Sequence, residues 1–512
     1  MGAEPEHDAV TFGGSAVALA DIVAVARRAA PVRLDASVGP RLAAARAVVD
    51  RALGRNDAVY GLTTGLGAAV DTRLDAEQIA AFQTRAIRAR AVGVGECMAP
   101  DEVRAMLAAR LAGLCQAASG ISPTLVDAVA ALLNKGVTPR VRRIGSLGEA
   151  DLSPLAQAFL PLIGEGEAER DGAVVSGADA LATAGLAPAT LGPKDALALL
   201  NSNAQSIGLA ALALVDLRAV LEAAILAGAL SLEGYRANLS PLDPDLGRLR
   251  GLEGHAAGLR ALRAALDGSA LFGPGVALRV QDPISFRTLA PVFGCALRAC
   301  EAAEAVATAE LNGVGDSPVV LPERDAMLSS VNFDTTELAL ALEAAGLALS
   351  HLAAISAARV TKLMSPGASG LPRFLTRHGG SHSGFATTQK TASALEAEIR
   401  HLAHPLGALT IPVADGVEDY APMTPAIVDK LHATVRRFAR LVAIELVVAA
   451  QAVDLREPAA LGHGAALAYD FVRAAVGPLG DDRPMGREYE ALALRILDGE
   501  LPRRLDPEVA EA

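Results

Sequence analysis

Five long stretches constrain this sequence most: roughly Lys194 to Ser231, Phe286 to Leu311, Thr336 to Met364, Gly384 to Ala403 and Pro425 to Leu455. Alanine and leucine recur through all of them with little β-branched alternation. Both residues enter a helix at low cost, and no strand-turn-strand pattern repeats along the chain, so the spacing predicts helices nearly everywhere and an all-α class. Several stretches run longer than about 25 residues and are apolar around much of their circumference. Such helices suit the middle of a bundle whose faces are covered by sister subunits, so a homo-oligomer is expected.

The chain of 512 residues is 52% hydrophobic, enough to bury a large core. A net charge of -12, with acidic and basic residues interspersed, argues against a nucleic-acid backbone or an anionic membrane as the partner and favours a small-molecule substrate. Ile207 to Val215 begins an apolar run, but Asp216, Arg218 and Glu222 interrupt it before the roughly 20 residues that a membrane span needs. Met1 to Val10 is acidic and lacks a basic region followed by an apolar one, so a cytoplasmic location is expected. Cys97, Cys115, Cys295 and Cys300 show neither metal-ligand nor disulfide-framework spacing and read as reduced core thiols.

Glycine and proline gather between the long stretches, at Gly61 to Gly67, Gly145 to Pro154, Gly273 to Pro283, Gly313 to Pro322, Pro366 to Gly384 and Pro412 to Pro422. Chemistry is expected in those loops. No repeat or linker cuts the chain into independent domains. It divides by character into residues 1–190, a helical region with the first glycine-rich loop, residues 191–455, the long-helix bundle, and residues 456–512, shorter and more charged peripheral helices.

The loop Tyr60-Gly61-Leu62-Thr63-Thr64-Gly65-Leu66-Gly67 resembles the tyrosine loop of histidine and phenylalanine ammonia-lyases. It is followed in the same order by Leu199-Leu200-Asn201, Gln281-Asp282-Pro283 with Ser285-Phe286-Arg287, Gly315-Asp316-Ser317-Pro318, Asn332-Phe333 and Glu418-Asp419. Ordered matches from Tyr60 to Met423 identify the sequence as a member of the aromatic amino acid ammonia-lyase family. The resemblance implies a homotetramer with a long central helical bundle and active sites shared between subunits.

One segment departs from the family. Between Gly148 and Asp151, relatives carry Ala-Ser-Gly, which cyclises and dehydrates into a methylideneimidazolone, the electrophile that makes a poor amine leaving group depart. Here only Glu149-Ala150 fills the interval, while Asp151-Leu152-Ser153-Pro154-Leu155-Ala156 is retained. The ring needs a glycine nitrogen and a serine hydroxyl in that interval, so no prosthetic group and no cofactor is expected.

An elimination can proceed without the electrophile if the substrate brings a better leaving group, such as a quaternary trimethylammonium that departs as a neutral amine. The pattern is similar to family members that lack the methylideneimidazolone, which implies a lyase splitting ergothioneine, the trimethylated betaine of 2-thiohistidine, into trimethylamine and thiourocanate. A lyase on another activated histidine derivative, a non-catalytic protein binding histidine-like ligands, and an ordinary histidine ammonia-lyase are the alternatives.

By the resemblance, Tyr60 is the base that takes the β-proton. A phenol with a pKa near 10 needs cationic neighbours or donors for that task. Gly67 and its neighbouring glycines let the loop approach the ligand. Arg287 can grip the substrate carboxylate with two parallel hydrogen bonds, and Asn201 and Gln281 match amides that line the family's site. Phe333 matches an aromatic beside the substrate, although a lone phenylalanine is more often core. Arg90 replaces a serine-histidine pair that helps select imidazole substrates, and either faces a thione sulfur or forms a surface ion pair. Lys390 stands where the family is usually apolar. Glu418 matches a glutamate directed at the imidazole ring, its alternative being a carboxylate at a helix N-terminus. Lys390 and Glu418 are expected to hold the two edges of the heterocycle and to join Tyr60 in catalysis. Ile284 and Asp334 replace a usual tyrosine and histidine. His378 and His382 flank a glycine turn without a third ligand, so no metal site is expected.

Overall fold

The computed structural model describes residues 8–503 except 56, 58, 66–71 and 412. The chain is mostly helical, and the long helices are Ala204–Tyr235, Leu289–Asn312, Thr336–Leu363 and Thr424–Asp454. The stretch expected as one helix from Lys194 to Ser231 is two. Asp195–Leu200 stops, Asn201 turns away at ψ 80°, and Ala204–Tyr235 begins after it. Asparagine competes with the backbone for local hydrogen bonds, so the Asn201-Ser202-Asn203 triplet breaks a run whose hydrophobicity alone predicts continuity. The stretch from Phe286 likewise opens with the short turn Ile284–Arg287 before the helix proper starts at Leu289.

Short strands form small sheets that the composition did not announce. Val10–Phe12 pairs in parallel with Val32–Leu34, and Thr138–Pro139, Glu167–Arg170 and Ala173–Ser176 make an antiparallel set. Runs of two to four residues are too short for an alternation to register in sequence. Only Cys115 and Cys300 are core thiols; Cys97 is half-buried and Cys295 exposed.

Two compact units are present, and each is assembled from three stretches of chain. The first comprises residues 1–215, 304–340 and 406–429, the second residues 216–303, 341–405 and 430–512. They interleave along the chain, whereas the division into residues 1–190, 191–455 and 456–512 follows it.

In the first unit, Pro100–Cys115 is buried on nearly every side and meets the start of Ala204–Tyr235 at backbone distance. A Cβ on Gly208 would lie 2.6 Å from the Ala105 carbonyl, so only glycine permits that crossing. Nearby, Arg110 and Asp316 form a buried ion pair at 2.8 Å, which fixes the Gly315–Pro318 loop. The interior of the second unit is organised around the buried Glu445 carboxylate. It accepts from Arg359 Nε at 2.6 Å, from Arg359 Nη2 at 2.8 Å and from the hydroxyls of Ser231 and Ser356.

Candidate active site

Tyr60 sits in a turn whose shape is set by its neighbours. The Leu62 and Thr63 amides both donate to the Val59 carbonyl at 3.1 Å, Thr63 Oγ1 donates to the Asp57 carbonyl, and Gly61 adopts φ +66°. Leu62 is fully buried with Val48, Val49 and Val320. The apolar anchor and the hydroxyl clamp hold the turn, leaving Tyr60 half-buried on the wall of a cavity of about 720 Å³.

That cavity lies within the first unit and is also lined by Arg90, Glu149, Asn201, Phe333 and Glu418. Arg90 ends the Ala76–Arg90 helix, which Asp75 caps through the Gln78 amide, and its Nη1 donates to the Ala86 carbonyl at 3.2 Å. Burial pushes the Arg90 guanidinium below its ordinary value, while the nearby charges of Tyr60 and Glu418 pull it back up. Arg90 thus lines the cavity. Asn201 is held by its Nδ2 donating to the Ser317 carbonyl at 2.6 Å. The Ser317 side is fixed in turn, because Ser330 Oγ donates to the Asp316 carbonyl at 2.7 Å.

Glu418 is not at a helix N-terminus. It lies in a loop whose backbone folds back on itself, the Val413 amide donating to the Glu418 carbonyl at 3.0 Å, and the nearest following helix starts at Thr424. Ala414, Asp415 and Gly416 all take positive φ to make this reversal. Glu418 is half-buried and lines the cavity from that loop.

The altered segment is firmly tied down. Asp151 is fully buried and accepts Ser146 Oγ at 2.7 Å and the Ser206 amide at 2.9 Å; burial nevertheless pushes its carboxyl up to about 6. The Met423 amide donates to the Leu147 carbonyl and Thr335 Oγ1 to the Gly148 carbonyl. Gly148 and Ala150 both lie in the left-handed region, at φ +94° and +73°, a conformation that costs an alanine roughly 1–2 kcal/mol. With no hydroxyl between Gly148 and Asp151, and with the Ala150 amide engaged by Asn203, these residues do not fit an internally cyclised, dehydrated ring.

Gln281, Arg287 and Lys390 lie in the second unit. Gln281 and Arg287 line a cavity of about 490 Å³ together with Arg279, Asp282, Lys362 and Tyr235. Arg287 Nε donates to the Asp282 carbonyl at 2.7 Å, which orients the guanidinium. Three cationic groups against one carboxylate suit an anionic ligand. Lys390 is exposed in the first turn of Thr388–Leu402, in the second unit, and lines neither cavity. Gly67 lies outside the described residues. Sequence reading missed Asn203, which links two walls of the Tyr60 cavity, and Tyr420, whose hydroxyl is 2.8 Å from Thr336 Oγ1. The asparagine pair flanking Ser202 was the available signal for the first.

The aromatic amino acid lyase family matches residues 17–474. The histidine ammonia-lyase of Symbiobacterium thermophilum is 39% identical over 489 residues, covering 95% of this chain and 96% of that relative. The histidine ammonia-lyase of Sorangium cellulosum is also 39% identical, over 499 residues, covering 95% and 97%. Among solved structures, the ergothioneine-degrading ergothionase from Treponema denticola, in complex with desmethyl-ergothioneine sulfonic acid, aligns with a TM-score of 0.90 at 31% identity, covering 96% of this chain and 99% of that one. Histidine ammonia-lyase from Trypanosoma cruzi aligns equally well, with a TM-score of 0.90 at 30% identity, covering 98% and 95%. The chain belongs to the aromatic amino acid lyase family and is a carbon-nitrogen lyase.

Proposed function

We propose that this lyase eliminates trimethylamine from ergothioneine to give thiourocanate, without a methylideneimidazolone. The observation that carries the reading is the pairing of Glu149-Ala150, where the electrophile-forming residues are missing, with a retained Tyr60, Asn201, Phe333 and Glu418 around one cavity. A chain that had lost catalysis altogether would have no reason to keep the base and its surroundings together.

Tyr60, as phenolate, takes the β-proton, with the Arg90 guanidinium nearby as its counter-charge. The electron pair of the breaking C–H bond becomes the new C=C bond, and the C–N pair departs with neutral trimethylamine. Charge developing on the heterocycle is met by Glu418 on a ring N–H and by Lys390 on the thione sulfur. Arg287 and Gln281 hold the substrate carboxylate.

The second set of residues is supplied by other copies of the chain in a homotetramer. Val331 and Val417, which line the Tyr60 cavity, are 74% and 62% exposed. Val280 and Ile284, beside Gln281 and Arg287, are 93% and 60% exposed. Apolar side chains so exposed around two polar cavities are accounted for if sister subunits cover them. The expected location is the cytoplasm, with neither nucleic acid nor membrane as partner.

Incubation with ergothioneine, its sulfur-free betaine and histidine, following amine release and acrylate absorbance, tests the reading. Trimethylamine from ergothioneine is the expected product. Ammonia from histidine would instead support the activity named for the 39% identical relatives.

A further inference from the structure

We propose that Glu149 selects a substrate whose leaving nitrogen carries a fixed positive charge, by facing that nitrogen across a cavity walled with aromatic rings. This rests on the proposed elimination, and it assigns to the altered segment a task of its own.

The backbone presents Glu149 in a defined direction. The residues on either side are in the left-handed region, Gly148 is buried with its carbonyl bonded by Thr335 Oγ1, and the buried Ala150 gives its amide to Asn203 at 3.1 Å. With both neighbours pinned, Glu149 is the segment's side chain that reaches the cavity. A strained, over-determined backbone around one polar side chain is the pattern expected of a residue held for function.

The cavity has the chemistry of a cation site. Its lining contains the carboxyl groups of Glu149, Glu418 and Asp419 against the guanidinium of Arg90. Tyr60, Phe333 and Tyr420 line it as well. A quaternary ammonium cannot donate a hydrogen bond, so a protein recognises it through nearby negative charge and aromatic faces, and acidic and aromatic residues both line this cavity. The carboxylates also act on one another. Burial raises the Glu149 carboxyl above its ordinary value, and Glu418, Asp419 and Asp334 raise it further, against a hydrogen bond from the Tyr420 backbone. A bound cation relieves that repulsion.

The same electrostatics gives the assignment a kinetic signature. Positive charge on nitrogen disappears as the C–N bond breaks, so Glu149 stabilises the bound substrate more than the transition state. Replacing it by glutamine should raise KM on the order of tenfold while kcat holds or rises. A residue needed only to shape the loop would lower kcat instead.

The test compares wild type with Glu149→Gln and Glu149→Asp. Affinities are measured for N,N,N-trimethylhistidine and for its neutral isostere, in which a quaternary carbon replaces the nitrogen. In wild type the charged compound should bind at least about tenfold more tightly than the isostere, Glu149→Gln should erase that preference with isostere affinity unchanged, and Glu149→Asp should keep part of it. An unchanged charged-to-neutral ratio in Glu149→Gln, or equal loss of both ligands, overturns the assignment. If wild type releases no amine from any trimethylated substrate, the proposed reaction fails, while the binding ratio still decides the role of Glu149.

Discussion

Asn203 accepts the Ala150 amide on its carboxamide oxygen at 3.1 Å, and its amide nitrogen donates to the Phe333 carbonyl. One side chain thereby joins the segment that lacks the electrophile's residues to the aromatic wall of the same cavity. The tie requires the backbone break at Asn201 to Asn203, because a continuous helix would carry that asparagine along its own axis. The interruption of the long helix is therefore part of how the site is assembled.

Removing the base should separate chemistry from binding. Tyr60→Phe keeps the ring and loses the proton acceptor, so kcat should fall by about 10²-fold or more with substrate affinity nearly intact. Stopped-flow binding and steady-state turnover on ergothioneine check this, and a near-normal kcat would require another base.

The helix-rich class, the Tyr60 turn and the retained motifs were legible because they rest on local pattern. Glycine and threonine at Gly61, Thr63 and Gly65 mark a turn, and alanine-leucine runs mark helices. What was not legible depends on distant partners. Nothing in Ala89-Arg90-Ala91 told whether the guanidinium faces a cavity or the surface; that is decided by Tyr60 and Glu418 reaching it from loops elsewhere in the chain. Nor did sequence assign Gln281 and Arg287 to a cavity of the second unit and Tyr60 to one of the first, since family order carries no information on which unit closes around which residue.

The proposed sharing of the site between copies of the chain yields a complementation test. Tyr60→Phe and Lys390→Met chains should each be nearly inactive, the second because it loses one preorganised donor, worth on the order of 10²-fold. Co-expressed, they should recover a measurable fraction of wild-type turnover, because mixed assemblies contain sites with both native contributions. Absence of recovery in verified hetero-oligomers would place both residues in a site built from one chain.

Acid should weaken recognition of a cationic substrate earlier than an ordinary carboxylate would allow. Glu149 must be ionised to attract the cation, and its carboxyl is raised by burial and by Glu418, Asp419 and Asp334. As pH falls through that raised value the attraction is lost, so the rise in KM should begin above the usual carboxylate value of 4.5. A pH series of KM checks the sign, and Glu149→Gln should flatten this limb.

Stability of the second unit should depend on its buried ion pair. Arg359 and Glu445 are each 1% exposed and bonded at 2.6 Å, so Glu445→Gln leaves a buried guanidinium without its counter-charge. A loss of about 3–5 kcal/mol is expected by chemical denaturation. The double change Arg359→Met with Glu445→Leu should recover most of it, since two apolar groups need no partner.

Elimination without a built-in electrophile is tested most directly by one measurement. Purified protein is treated with sodium borohydride, which reduces an electrophilic methylidene group, and then supplied with ergothioneine while trimethylamine and thiourocanate are quantified. The predicted result is one trimethylamine per thiourocanate at an unchanged rate, from a chain whose intact mass shows no loss of water. Abolition of turnover by borohydride, with a mass deficit mapped to Gly148 to Asp151, would contradict it.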